Sequence, residues 1–216
     1  KIEVRETDLN DPADSIRAQN PLGKIPALIL DDGTAYYDSR VILEYLDHLA
    51  GGGRIIPREP GARFAALRLQ ALCDGILDAC ILLVYESRYR PAEMRVQGWI
   101  DRQTDKVARG LAALEAAPPQ LAALRDSLPD VGQITLACVL GYRDLRFGGT
   151  WRERHPRLLA WHDKFAAQVP AFAETVPSNK AEILAANAAA RDALAAYVGF
   201  LKTDVPRRPR GDFAIG

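Results

Sequence analysis

Two short blocks of this chain hold the residue types that could bind or react. The first is Asn20-Pro21-Leu22-Gly23-Lys24-Ile25-Pro26, dense in turn-forming residues and followed at once by the apolar run Ala27-Leu28-Ile29-Leu30. The second is Asp38-Ser39, where a strand-like run ends and a helical pattern of Val41, Ile42, Tyr45, Leu46 and Leu49 begins. The first N–H groups of a helix lack intrahelical partners and carry partial positive charge. They therefore accept a carboxylate well, and the Ser39 hydroxyl can add a hydrogen bond. The plainer alternative is a helix cap and nothing more, with Ser39 the favoured capping residue. Around Pro26, an exposed strand edge could pair with an extended peptide. An ordinary trans proline at a strand start is the alternative. Lys24 could meet a carboxylate or be a solvated loop lysine.

Other reactive residue types do not assemble into sites. Cys73, Cys80 and Cys138 form no CxxC pair, and each lies in an apolar helical pattern. They read as small buried hydrophobes of a reducing compartment. His48, His155 and His162 do not group with them, so no metal site is expected. Lys plus Arg and Asp plus Glu number 28 each, which removes any overall field toward nucleic acid or an anionic membrane. The one basic cluster, Arg207, Arg208 and Arg210, is short and broken by Pro209. No window has the roughly 18 continuous apolar residues of a membrane span, and no signal peptide opens the sequence.

The elements that must hold the two blocks can be read from periodicity. Lys1–Asp8 alternates with period two, as in a half-buried strand; Pro12–Gln19 is a short helical stretch. Asp31-Asp32-Gly33 between Ala27–Leu30 and Thr34–Tyr37 marks a hairpin. Gly51-Gly52-Gly53 ends the helix opened at Asp38-Ser39. Beyond Pro57 and Pro60 the texture is helical, placing a boundary at residues 51–60. Phe64, Leu67, Ala71, Leu72, Gly75, Ile76, Ala79 and Leu83 form one long apolar face. Pro91 is expected to begin a helix reaching Ala116, before Pro118-Pro119. Asp130-Val131-Gly132-Gln133 has the spacing of a capping box ahead of the apolar Ile134–Leu145, the expected central helix. Pro156 suits the first turn of a further helix. Trp99, Tyr142 and Trp161 are expected in the core.

Taken together, Asn20-Pro-Leu-Gly-Lys-Ile-Pro-Ala-Leu, Asp31-Asp-Gly-Thr and Tyr37-Asp-Ser-Arg-Val-Ile-Leu-Glu-Tyr-Leu resemble the glutathione-binding half of the glutathione S-transferase family. Gly132–Asp144 is similar to the central helix of that family's second domain, and His155–Trp161 with Pro170-Ala-Phe to its final helices. The resemblance covers roughly residues 1–177. It implies an α/β thioredoxin-like N-terminal domain followed by an all-α helical-bundle domain: 1–52, 60–177, and an extra tail 178–216. It also implies a glutathione site of Lys24, Ile25, Pro26, Asp38 and Ser39. A cis Ile25–Pro26 bond would turn the Ile25 main chain outward to meet the cysteinyl unit. Asp38 and Ser39 would take the γ-glutamyl ammonium and carboxylate, and Lys24 the glycyl carboxylate. Arg40 could contact ligand or a dimer partner. Tyr85, Arg88 and Tyr89 could line the electrophile cleft or, alternatively, be aromatic packing beside a surface arginine. The implied activity is conjugation of the glutathione thiolate to small electrophiles, a detoxification chemistry, in a cytoplasmic homodimer with no metal, nucleic-acid or membrane partner.

The sequence departs from the family at both ends. The family opens with a strand, a loop and a helix whose loop carries the Ser, Tyr or Cys acting on the sulfur. This chain opens on what reads as the second strand. The domain is therefore expected to be N-terminally truncated, with its catalytic residue in the absent segment and the chain itself weakly active or inactive. A thiol of pKa about 8.5 needs help to ionise at neutral pH. A non-catalytic glutathione S-transferase-like binding or scaffold protein is the alternative. Ser178–Lys202 reads as an extra helix and Arg207–Gly216 as irregular.

Overall fold

The structure, a computed structural model, describes residues 3–9, 11–121 and 128–175, without the side chains of 169–175. The expected tail helix at Ser178–Lys202 lies outside the described residues. The chain forms two compact units, residues 1–63 and 64–216.

In the first unit the order is helix α1 (Ile16–Gln19), strands β1 (Leu28–Ile29) and β2 (Ala35–Tyr36), and helix α2 (Ser39–Leu49). The strands pair antiparallel, Leu28 with Tyr36 and Ile29 with Ala35. Their turn is the one that Asp31-Asp32-Gly33 demands. The Gly33 N–H donates to Leu30 O at 2.9 Å and the Leu30 N–H to Thr34 O at 2.9 Å. Gly33 has φ +86°, the left-handed position of a three-residue hairpin loop. The Asp32 carboxylate accepts from the Thr34 N–H at 2.8 Å, and its pKa is lowered chiefly by that backbone bond. α2 is held against the hairpin by stacking of Tyr45 on Tyr36, ring centroids 4.5 Å apart.

The expected strand at Lys1–Asp8 is not found: the described residues 3–9 carry no strand. Val4 is 89% exposed. Alternation creates a buried face only where a neighbouring strand supplies pairing and cover. Among the described residues none pairs with this segment.

The second unit is helical. α3 (Pro60–Tyr89) begins at the end of the first unit. α4 (Gln97–Ala116), α5 (Val131–Phe147), the short α6 (Trp151–Arg154) and α7 (Pro156–Thr175) follow. Pro91 does not start α4. It precedes a single 3-10 turn, Ala92–Met94, and the helix begins six residues later, at Gln97. The capping box is present in full. Asp130 accepts from the Gln133 N–H at 2.9 Å, while Gln133 Oε1 accepts from the Asp130 N–H at 3.1 Å. The Gln133 amide also donates to Gln120 O at 2.7 Å, tying the start of α5 to the loop before it.

α5 is central to the core: Leu136, Val139 and Leu140 are wholly buried in one cluster with Cys73, Cys80, Trp151 and Leu158, and Val131 at its start is wholly buried too. A Cβ on Gly132 would lie 2.6 Å from Ala66 O, so this glycine allows α5 to approach α3. The buried side of α3 is Ala66, Gln70, Cys73, Ile76, Ala79 and Cys80. The expected face was rotated: Phe64 is 69% exposed and Leu72 39%. The run is apolar on more than one side, and its neighbours rather than its own pattern choose the buried one. Trp161 is in the core, Tyr142 packs against it half-buried, and Trp99 is exposed. Cys73 and Cys80 are buried thiols, whereas Cys138 is exposed, contrary to expectation. Among the described residues no helix is long and apolar enough to cross a membrane.

Candidate functional site

Both sequence blocks leave the same end of the hairpin. Extending the register two residues beyond the Leu28–Tyr36 pair sets Pro26 opposite Asp38. The Ile25–Pro26 peptide bond is cis, as is Tyr37–Asp38. The Ile25 main-chain N–H and C=O make no hydrogen bond among the described residues. Lys24, Ile25, Pro26, Asp38 and Ser39 are all exposed.

Asp38, not Ser39, is the N-cap of α2. Its Oδ1 accepts from the Arg40 N–H at 3.0 Å, and Ser39 is the first helical residue. The Ser39 side chain is therefore not consumed in capping. Among the described residues neither Lys24 nor Asp38 takes part in an ion pair, so an exposed cation and an exposed anion stand in this unit without counterions from those residues.

Two buried polar residues that sequence reasoning did not single out shape the unit. Asn20 is only 2% exposed. Its Nδ2 donates to Lys24 O at 2.8 Å, its Oδ1 accepts from the Leu22 N–H at 3.0 Å, and its main chain bonds Ile16 O and the Gly23 N–H. One side chain thus closes the loop that delivers Ile25 and Pro26. Asp47 is the other. Its carboxylate accepts N–H bonds from Gly53, Arg54 and Ile55, each at 2.8 Å. Burial pushes its pKa up, but the amides of Ile55, Gly53, Arg54 and Ile56 together outweigh that and hold it below the ordinary carboxylate value. A signal existed for Asp47. An acid in the last turn of a helix opposes the dipole and must be held there by something else.

In the second unit Tyr85 and Tyr89 pack ring to ring, centroids 5.3 Å apart, with the Arg88 guanidinium 5.5 Å from the Tyr89 centroid. Tyr85 is 43% and Tyr89 62% exposed, so they face solvent as a small aromatic–cation cluster and not the core. No group of His, Cys, Asp and Glu suited to a metal occurs among the described residues.

An N-terminal α/β unit bearing a cis-proline loop and a helix N-terminus, followed by a helical unit built on a capped central helix, defines a class of protein that comparison identifies. Residues 1–54 match the family model "Glutathione S-transferase, N-terminal domain", and residues 97–164 match "Glutathione S-transferase, C-terminal domain". The chain is 32% identical over 159 residues to the uncharacterized GST-like protein YibF of Escherichia coli, covering 73% of this chain and 77% of that one. Among solved structures it is similar to a glutathione S-transferase from Methylobacillus flagellatus with glutathione bound. The TM-score is 0.70 at 36% identity, over 76% of this chain and 81% of that one. A glutathione transferase family member from Pseudomonas fluorescens, also with bound glutathione, gives a TM-score of 0.64 at 46% identity, over 70% and 73%. The chain belongs to the glutathione S-transferase family. Its fold is the thioredoxin-like domain plus helical domain expected from the sequence.

Proposed function

We propose that the chain binds glutathione on its first unit and serves as a glutathione transferase, delivering the thiolate to small electrophiles. The observation that carries the reading is the free main chain of Ile25, at the same hairpin end as the α2 N-terminus. An extended tripeptide needs main-chain partners for its middle residue and a positive helix end for its carboxylate. In this reading Ile25 pairs with the cysteinyl unit. Ser39 and the first α2 N–H groups take the γ-glutamyl carboxylate, Asp38 its ammonium, and Lys24 the glycyl carboxylate. The bound glutathione of the two solved relatives supports it. Tyr85, Arg88 and Tyr89 are assigned to the electrophile, where a flat or anionic group would meet rings and a guanidinium. The domain limits 1–52 and 60–177 with a tail at 178–216, the homodimer, the detoxification role and the cytoplasmic location belong to the same proposal.

Calorimetric titration of glutathione into the full chain tests the site. Saturable binding is expected, weakened about tenfold by Ser39→Ala and by Asp38→Asn, as loss of one charge-assisted hydrogen bond implies. Asparagine still caps α2, so Asp38→Asn isolates the charge. No binding to a chain whose circular dichroism shows it folded would reject the site and favour a scaffold protein on this fold.

A further inference from the structure

A cavity lies within the helical unit, and no residue of the proposed glutathione site lines it. It is partly open to solvent and has a volume of about 130 Å³. Its floor is apolar and buried, made by Val107 and Leu111 of α4 and the ring of Trp151. Leu83 of α3 adds a partly buried apolar wall. Arg143, Arg154, His155, Thr104 and Thr150 supply the polar side, and among the described residues no carboxylate lines the cavity.

The arginines decide what such a space would hold. Neither Arg143 nor Arg154 has an ion-pair partner among the described residues. This is unlike neighbouring Arg152, whose guanidinium is matched to Asp144 at 2.6 and 2.9 Å. Arg143 is held in place by its own surroundings. Its guanidinium lies 4.0 Å from the Phe147 ring centroid, and Nη1 is 4.0 Å from Cys80 Sγ. Its Nε is buried and has no hydrogen-bond partner. Burial keeps Nε out of reach of a ligand, so only the terminal guanidinium nitrogens of Arg143 are available to one in the cavity. His155 is oriented too, its Nδ1 lying 2.9 Å from Trp151 O.

We propose that this cavity is a binding site for a small organic carboxylate with a compact apolar body. The carboxylate would sit against Arg143 and Arg154, which offer donors in the fork geometry that carboxylates match. The body would lie on Val107, Leu111 and Trp151. The size sets an upper limit: an engineered apolar cavity of ~150 Å³ accepts benzene, so a body no larger than one ring fits here, with the carboxylate at the open side of the cavity. An inorganic anion would satisfy the arginines but leave the apolar floor unused.

The test uses the full chain and benzoate as probe, with benzamide as the uncharged isostere and sulfate as the anion without a body. Binding is followed by calorimetry and by the indole N–H resonance of Trp151. Benzoate is expected to saturate, to bind roughly tenfold tighter than either benzamide or sulfate, and to shift the Trp151 resonance. Arg143→Gln should weaken it about tenfold and Arg154→Gln severalfold. Arg154 is exposed, so its variant stands even if Arg143→Gln fails to fold. Saturating glutathione should leave the benzoate affinity unchanged. The proposal is overturned if benzamide or sulfate binds as well as benzoate, if benzoate does not saturate, or if Arg154→Gln binds it unchanged. Displacement of benzoate by glutathione, or a shift confined to Trp99 or Trp161, also overturns it.

Discussion

At the residue scale, the first unit depends on polar groups that fold inward. Asp47 takes three backbone N–H groups on one carboxylate, which lowers its pKa despite its burial. A carboxyl depressed in the folded state stabilises the fold above its unfolded pKa, about 3.9. That contribution is lost as pH falls through the lower folded value. Asp47→Asn should therefore cost about 1–3 kcal/mol near neutral pH. The gap between the two proteins should close as pH is lowered from about 4 toward 2. Urea unfolding midpoints measured across that range check both statements. Asn20 was not legible in the sequence as a structural hub, and of Asp47 only its unfavourable place in the last turn of a helix was. What buries a polar side chain is the backbone that curls around it, and composition does not announce that curl. Lys24, Ile25, Pro26, Asp38 and Ser39 were legible as a group because turn residues and a helix start are local signals. The structure moved only the cap, from Ser39 to Asp38.

At the scale of elements, turns and caps were read well and burial faces poorly. Asp31-Asp32-Gly33 and Asp130–Gln133 act through bonds within a few residues, so spacing alone defines them. Lys1–Asp8 needs a partner strand and α3 needs to know its neighbours, and neither fact is local. Two glycines of α5 turn this contrast into a measurement. Gly132 faces Ala66 O at 2.6 Å, whereas a Cβ on Gly141 would meet nothing within 4 Å. Gly132→Ala should destabilise by about 1–3 kcal/mol through forced separation of α3 and α5. Gly141→Ala should be neutral or stabilising by up to ~1 kcal/mol, the helix preference of alanine over glycine. Thermal or urea unfolding of the pair checks the sign of each. Opposite signs on one helix would tie the effect to contact rather than to propensity.

For the whole molecule, charge and apolar surface act together. Acidic and basic residues balance at 28 each, and the isoelectric point is about 7.0. Val4, Leu22 and Phe64 are 89, 72 and 69% exposed. With little net charge to keep copies apart, such side chains favour association. Light scattering at low salt should peak near neutral pH and fall on moving about two units to either side. A scattering profile flat with pH would count against this. The balance was legible from composition; the exposed side chains were not, because exposure depends on packing. One exposed stretch also shapes how the gene can change. Gly51, Gly52 and Gly53 run consecutively at φ +94°, +73° and +75°, and a Cβ on Gly53 would meet the Arg58 side chain at 2.9 Å. Most single-base changes in these adjacent codons put a side chain where the backbone disfavours one. A saturation library would therefore find, away from the core, three neighbouring positions that resist every side chain on backbone grounds, at roughly 1–2 kcal/mol each.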